Sequence, residues 1–467
     1  MNRRLFFLFG SIFFITTSIL SAQTKINVFD EILFYDGYNT LEKLGDEIVP
    51  VPEGTIRHKT SLVATKLSES QTALFGDTIT LEVILKAACD NYDRIGHVHL
   101  SLVPKGAGTY EVSDPNIYRL EIARFITPFM NKNNQPDTVP YIFDVSNLKH
   151  IFQDEVFKQE YDFWVELDIF GVPYAANKEV AGCAERNDVF YGSLNLITSN
   201  PSAEKSENNF FIHFFNNKSF NNYQENATDE IGKTVKSAEF VLNTDIADAK
   251  FYLITSNHGA YNGGEEYSRR WHYVYLNDKE ILRYRPGRAS CEPFRVYNTQ
   301  ANNIYSLSPR TDAQWQSFSN WCPGDVLDIR IISLGNLKAG KHAFKIEVPS
   351  ALFIGQNGRG TDGNIPLSLY LQGKTDGESS IQLLSINNIS EEESANVLLY
   401  PNPAKTSFAI KSDLPVKSIV ICNISGQEIY RETTTTSVNV ENLKAGIYIV
   451  YVTLADGTVV TQKLIKQ

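Results

Sequence analysis

Three stretches of this chain hold residues whose types and spacing could do chemistry. The first is Cys89-Asp90-Asn91-Tyr92-Asp93-Arg94, with two carboxylates and a cation in the loop between predicted strands at 78–86 and 97–103. The second is Glu166, within the run Tyr161–Phe170. The third is Asn262-Gly263-Gly264-Glu265-Glu266-Tyr267-Ser268-Arg269-Arg270-Trp271-His272, a glycine-rich loop that brings Glu266 beside an aromatic ring. Carboxylates near arginines and aromatics suit carbohydrate chemistry. The acids do acid–base work on water, and ring faces stack on sugars. Each acid taken singly also fits an ordinary surface carboxylate, and spacing along the chain does not separate the two readings.

The elements around these loops read as strands. In Tyr161–Phe170, Tyr161, Phe163, Val165, Leu167 and Ile169 share one face, with Asp162, Trp164, Glu166 and Asp168 on the other. Val98, Leu100 and Leu102 alternate in the same way against His97 and His99. Similar patterns recur at 237–242, 250–256, 272–276, 327–334 and 342–348, and long helical periodicity is missing. The expected fold is all-β: two side-by-side antiparallel eight-stranded jelly-roll sandwiches, at 23–198 and 199–373, with a small C-terminal β-sandwich. A turn-rich boundary is expected at Thr198–Lys205.

Composition sets the outer limits. The 467 residues allow about three domains. With 42% apolar residues and 21% charged ones, collagen, coiled coil, wholesale disorder and a multi-span membrane protein are excluded. The net charge is 43 − 54 = −11, which argues against a nucleic-acid partner. Aromatics reach 12%, a bias toward β structure.

Both ends read as export signals. Arg3 and Arg4 precede an apolar run from Leu5 to Ile19, and Ser18, Ser21 and Ala22 supply small residues for cleavage after Ala22. The polar segment 374–394 reads as a linker. Six short strand-like runs follow within 395–467, at 407–410, 418–423, 428–432, 437–440, 447–453 and 459–465. Tyr400-Pro401-Asn402-Pro403, Ser425-Gly426-Gln427, Ala445-Gly446-Ile447-Tyr448 and the terminal Gln462–Lys466 together resemble the C-terminal sorting domain of the type IX secretion system. That resemblance implies a Bacteroidetes-type source and the type IX machinery as a partner. It also implies passage through periplasm and outer membrane to a secreted or cell-surface location, with the sorting domain removed on export.

The middle of the chain resembles the peptide-N-glycosidase F family. The residues that carry this are Cys89–Arg94, Arg124-Phe125-Ile126-Thr127-Pro128-Phe129 followed by Phe143-Asp144-Val145, Gly264–His272, Arg285–Arg295 with Tyr297-Asn298, and Asn320-Trp321-Cys322-Pro323-Gly324-Asp325. The resemblance spans about residues 75–373, and 23–74 is weakly matched. It implies two jelly rolls with the site at their interface. The implied reaction is hydrolysis of the glycan–asparagine amide of N-glycoproteins without metal or cofactor, by a chain expected to act as a monomer. Carried over by position, Asp93, Glu166 and Glu266 would be catalytic. Arg94 would hold Asp93 charged, and Tyr267 and Trp321 would line the sugar site.

Some positions depart from the family pattern. Phe318 lies about where the family has an arginine, Asp168 stands in place of a tryptophan, and Ser268 replaces a cysteine. These departures support an alternative, a non-catalytic carbohydrate-binding surface protein on the same fold.

The resemblance also implies a Cys291–Cys322 bridge. Cys89–Cys183 is then the remaining option, and Cys422 lies in the sorting domain. His97-x-His99 is the one metal-like spacing, since alternate strand residues share a face. The two-jelly-roll fold is shared with copper-dependent peptidylglycine hydroxylating monooxygenases, which makes copper chemistry a remote alternative. That family needs further His and a Met in the second domain, and beyond the signal this chain has only Met130. A solvated His pair is the expected reading.

Overall fold

The computed structural model describes residues 23–114, 116–199, 208–219, 235–259, 265–300, 302, 304–305, 308–318, 320–351, 363–377, 380–383, 397–412, 415–423, 428–433, 437–455 and 459–466. The expected signal, most of the Thr198–Lys205 boundary, most of the linker, the Asn262–Gly264 loop and the Ser425-Gly426 turn lie outside the described residues. The chain divides into two compact units, Met1–Ile386 and Asn387–Gln467.

The first unit contains two sandwiches. One is built from β1 (Gln23–Tyr35), β2 (Thr55–Lys59), β3 (Leu62–Lys66), β4 (Ile79–Ala87), β5 (Ile95–Pro104), β6 (Tyr118–Ile126), β7 (Thr138–Asp144), β8 (Tyr161–Ile169) and β9 (Asp188–Ser199). A four-stranded sheet, β1-β9-β4-β7, faces a five-stranded one, β2-β3-β8-β5-β6. The alternation read along β8 holds: Phe163, Val165, Leu167 and Ile169 enter a core shared with Val98, Leu100 and Leu102. Burying one face of each strand is what fixes their register, since a one-residue slip would turn the apolar set outward.

The other sandwich comprises β10 (Asn209–Ser219), β11 (Val235–Leu242), β12 (Ile246–Thr255), β13 (His272–Leu276), β14 (Lys279–Tyr284), β15 (Arg330–Leu337), β16 (Gly340–Glu347), β17 (Pro366–Lys374) and β18 (Ser380–Leu383). Its sheets are β15-β12-β17-β10-β18 and β11-β16-β13-β14, so four strands again face five. A separate core gathers Phe251, Leu253, Phe344, Leu369 and their neighbours.

Strand β6 joins the two sandwiches. Ile126 N–H donates to Asp325 O at 3.0 Å, Leu327 N–H to Arg124 O at 2.8 Å, and Gly324 N–H to Ile126 O at 3.0 Å. Arg124 is fully buried and makes a bidentate pair with Glu121, both bonds at 2.7 Å. It also donates to Ser256 Oγ and to the Pro366 carbonyl across the junction. Burial alone would push the Glu121 carboxyl up, but Arg124 and His97 outweigh it and hold it well below the usual carboxylate range. A buried pair of this kind is costly to break, because losing one partner leaves the other uncompensated.

The second unit pairs β19 (Val397–Tyr400), β20 (Ser407–Ser412) and β23 (Ser437–Asn439) in one sheet. The other sheet holds β22 (Glu428–Thr433), β21 (Val416–Asn423), β24 (Gly446–Leu454) and β25 (Val459–Lys466). Phe408, Ile419, Val450 and Leu464 meet in its core. The six expected strands are present, and Val397–Tyr400 adds a seventh.

Candidate functional site

The loop between β4 and β5 is pinned on several sides. Cys89 forms a disulfide with Cys183 in the turn before β9, with a Cα–Cα separation of 5.5 Å. Asn91 Nδ2 donates to Glu179 at 2.8 Å. Asp90 is buried and accepts from Tyr92 N–H at 2.8 Å, Val172 N–H at 2.7 Å and Arg94 Nε at 3.0 Å. The Arg-Phe-Ile-Thr-Pro-Phe segment stitches the loop down: Thr127 Oγ1 accepts from Arg94 N–H at 2.7 Å and donates to Tyr92 O at 3.0 Å. These bonds fix where Asp93 points.

Across the junction, Glu266 is held by backbone and by Asn320. Glu266 N–H donates to Gly259 O at 3.1 Å. Asn320 Nδ2 donates to the carbonyls of Glu265 and Glu266, each at 2.6 Å. Glu265 is fully buried and paired with Arg270 at 3.0 Å, which anchors the base of the loop. The Cys291–Cys322 bridge, with a Cα–Cα separation of 5.4 Å, closes the turn that carries Asn320. Arg288 makes a bidentate pair with Asp325 just beyond it. Gly324 takes φ of 93°, a conformation that suits glycine there.

These loops bring Asp93 and Glu266 into electrostatic contact. Burial is the main force raising the Asp93 carboxyl, the neighbouring Glu266 charge adds to it, and the result is about 8. Its Oδ2 is sealed from solvent and lacks a hydrogen-bond partner. Glu266 is raised by burial too, against the opposing pull of a Tyr267 hydrogen bond, the Gly259 backbone and Arg94. Two carboxyls that share one environment release their protons in two coupled steps. At neutral pH Asp93, raised to about 8, keeps its proton and so offers an acid beside the Glu266 carboxyl.

Two expectations are corrected by this geometry. Arg94 does not hold Asp93 charged: its guanidinium is turned to Asp90, and the burial of Asp93 outweighs its pull. Trp321 does not line an open sugar site. It is buried, donates Nε1–H to Asn257 O at 2.9 Å, and packs with Ile126 and Leu327 beneath the loops. Tyr267 is half-buried, packs with Phe129 and the Cys291–Cys322 cluster, and bonds Glu266.

Glu166 is not brought to the pair. Register sets it opposite His99, four residues inside β5, which is about 13 Å along the strand from the end nearest Asp93. There it accepts from Ser101 Oγ at 2.5 Å, Tyr110 OH at 2.6 Å and Arg119 at 2.5–3.0 Å. Burial would raise its carboxyl, but Arg119, His99 and Ser101 hold it at about 2. With its lone pairs taken, this group is built as a structural anion. Asp168, the departure two residues on, sits opposite His97.

The His pair is not solvated. His97 and His99 are both buried, their rings 5.9 Å apart, and each faces its own carboxylate: Glu121 at 2.7 Å and Glu166 at 3.7 Å. Among the described residues, no group of three His, Cys, Asp or Glu is arranged to hold a metal ion. One residue that the sequence did not single out emerges beside Asp93. Tyr92 is 42% exposed, packs against Phe129, and has Arg94 over its ring at 5.3 Å. Its place inside the Cys89–Arg94 motif was the available signal.

Comparison with known proteins agrees with the fold. Residues 25–184 match the family described as peptide-N-glycosidase F, N terminal, and residues 222–372 match peptide-N-glycosidase F, C terminal. Residues 398–467 match the secretion system C-terminal sorting domain. Two crystal forms of PNGF-II align with TM-scores of 0.52 and 0.53 at 20% identity, covering 76% and 77% of this chain. The chain spans 66% of the length of those PNGF-II structures. PNGase F, described as a glycosylasparaginase from Flavobacterium meningosepticum, aligns at 14% identity with a TM-score of 0.49, over 77% of this chain and 98% of that one. Among curated proteins nothing matches. The chain belongs to the peptide-N-glycosidase F family, and it ends in a type IX sorting domain that directs it through the outer membrane to a secreted or cell-surface location.

Proposed function

We propose that this protein is an exported amidase that hydrolyses the amide joining an N-glycan to asparagine in glycoproteins or glycopeptides. The observation that carries this reading is the Asp93–Glu266 pair, with both carboxyls raised by burial and Asp93 raised further by the Glu266 charge. The ionised member takes a proton from water, whose oxygen attacks the amide carbonyl carbon. The protonated member gives its proton to the amide nitrogen as the C–N bond breaks. Asparagine becomes aspartate, the glycan leaves as a glycosylamine, and the pair again holds one proton, now on the other carboxyl, until exchange with water returns it. Tyr267 and Arg94 tune Glu266 and so set which acid carries the proton. The bonds from Thr127 and Asn320 hold the two loops in register, which is how a fold lowers the entropic part of a barrier.

The departures from the family keep a second reading in view, a glycan-binding protein that uses the same loops for grip. Incubation of the full chain with a denatured N-glycoprotein separates the two. Release of glycan with aspartate left on the peptide supports the amidase, and retention of glycan without release supports the binder.

A further inference from the structure

Beyond the acid pair, three exposed tyrosines sit in the Asp93 loop and in two segments tied to it by hydrogen bonds. Tyr92 is 42% exposed, Tyr174 57% and Tyr38 71%. Two buried aspartates staple these segments together. Asp90 holds Tyr92 N–H and Val172 N–H at 2.8 and 2.7 Å, which places the Val172-Pro173-Tyr174 turn beside the loop. Asp36 is likewise buried and accepts from Tyr38 N–H and from Asn39 Nδ2, both at 3.0 Å, and from the Tyr174 hydroxyl. The Tyr38 ring stands edge-on to Phe170 at 5.1 Å.

The docking of Tyr38 depends on its neighbour Gly37. Gly37 N–H donates to Gly171 O at 2.8 Å, and a Cβ at Gly37 would come within 2.4 Å of the Phe170 ring. Only glycine lets the chain approach this closely. A buried carboxylate, an obligatory glycine and several hydrogen bonds thus hold two tyrosines whose own rings add little to any core. Large apolar rings held out in water at that cost point to a ligand.

We infer that Tyr38 and Tyr174 form a platform for the outer sugars of a branched N-glycan, extending the reaction site past Tyr92. This rests on the amidase reading for the position of the glycan's inner end. Pyranose rings present polarised C–H groups, which complement the negative face of an aromatic ring. Tyrosine supplies that face at low entropic cost, having only two side-chain torsions. The platform would make long glycans better substrates than trimmed ones, and would leave chemistry at the amide untouched.

The test uses the full chain and two glycopeptides with one peptide sequence. One carries an intact branched glycan, and the other is trimmed to its two core N-acetylglucosamines. The variants are Tyr38→Ala with Tyr174→Ala together, and Tyr38→Phe alone. For the branched substrate the double alanine variant is expected to raise KM roughly tenfold, with kcat unchanged. KM for the trimmed substrate is expected to stay as in wild type, and Tyr38→Phe to behave as wild type. Both rings are exposed, so the unfolding midpoint is expected to fall only by a few degrees, for the lost Tyr174–Asp36 bond and the Tyr38–Phe170 contact. Equal KM values for wild type and double variant on the branched substrate would overturn the platform. So would an equal loss on both substrates, which would place the rings against peptide or glycan core. If wild type cleaves neither peptide, the amidase reading fails. The same peptides are then titrated by calorimetry. Tighter binding of the branched one, lost in the double variant, still supports the platform, and equal binding overturns it.

Discussion

Arg94 hydrogen-bonds Asp90 at 3.0 Å and leaves the Oδ2 of the adjacent Asp93 without a partner. The cation beside the acid therefore serves the loop's architecture first. Asp93 is free to stay protonated, and burial together with Glu266 moves its titration to about 8.

The pH dependence follows from that value. Hydrolysis that needs one proton on the Asp93–Glu266 pair should weaken as pH rises through about 8. The stability effect has a definite sign. The folded chain binds a proton at Asp93 that the unfolded chain releases near pH 4, so this group's contribution falls as pH rises from about 4 to about 8. Asp93→Asn removes the liability and should raise the unfolding midpoint at pH above 8 by roughly 2–4 °C. Calorimetric scans of both proteins across that range check this, and a midpoint lowered at high pH would contradict it.

Asn320 is expected to act through Glu266. Asn320→Ala removes two bonds of about 1 kcal/mol each from the loop. The expected result is a kcat roughly tenfold lower, KM within about twofold of wild type, and a shifted alkaline limb in the pH–rate profile. A purely structural role would lower the unfolding midpoint and leave the profile of the folded fraction in place.

The Cys89–Cys183 bridge closes a span of 94 residues and carries the Asp93 loop at one end. Replacing both cysteines by alanine should cost about 4 kcal/mol in chemical denaturation. The variant should also lose turnover while still folded, because the loop then has one tether fewer. Unchanged kcat in the folded variant would show that the hydrogen bonds of Asp90, Asn91 and Thr127 suffice.

Much of this was readable from the chain and some was not, for physical reasons. Period-two alternation placed the core face of β8 and β5, because burying one face of a sheet dictates which residues turn inward. It could not place Glu166. The alternation fixes a face, while the partner across the strand is set by register, a long-range property. The same holds for Trp321 and for the His pair: residue types suggested a sugar platform and a solvated pair, and packing across the two sandwiches buried them instead. The export signal at 1–22 falls outside the described residues.

Glu166 gives a direct check on that register argument. Glu166→Gln leaves the Arg119 cation uncompensated in a buried setting, at a cost of about 3–5 kcal/mol. The loss should appear in stability, measured by denaturant unfolding. Turnover per folded molecule should stay within about fivefold of wild type. A stable variant without activity would contradict the separation of Glu166 from the reaction centre.

The most direct measurement is the rate of glycopeptide hydrolysis by Asp93→Asn beside wild type, with near-ultraviolet circular dichroism to confirm that both are folded. Wild type is expected to release the glycan and leave aspartate on the peptide. The variant is expected to be slower by about 10²–10⁴-fold, the range for loss of a general acid–base group. A folded Asp93→Asn protein that cleaves as fast as wild type would contradict the assignment of the Asp93–Glu266 pair to the chemistry.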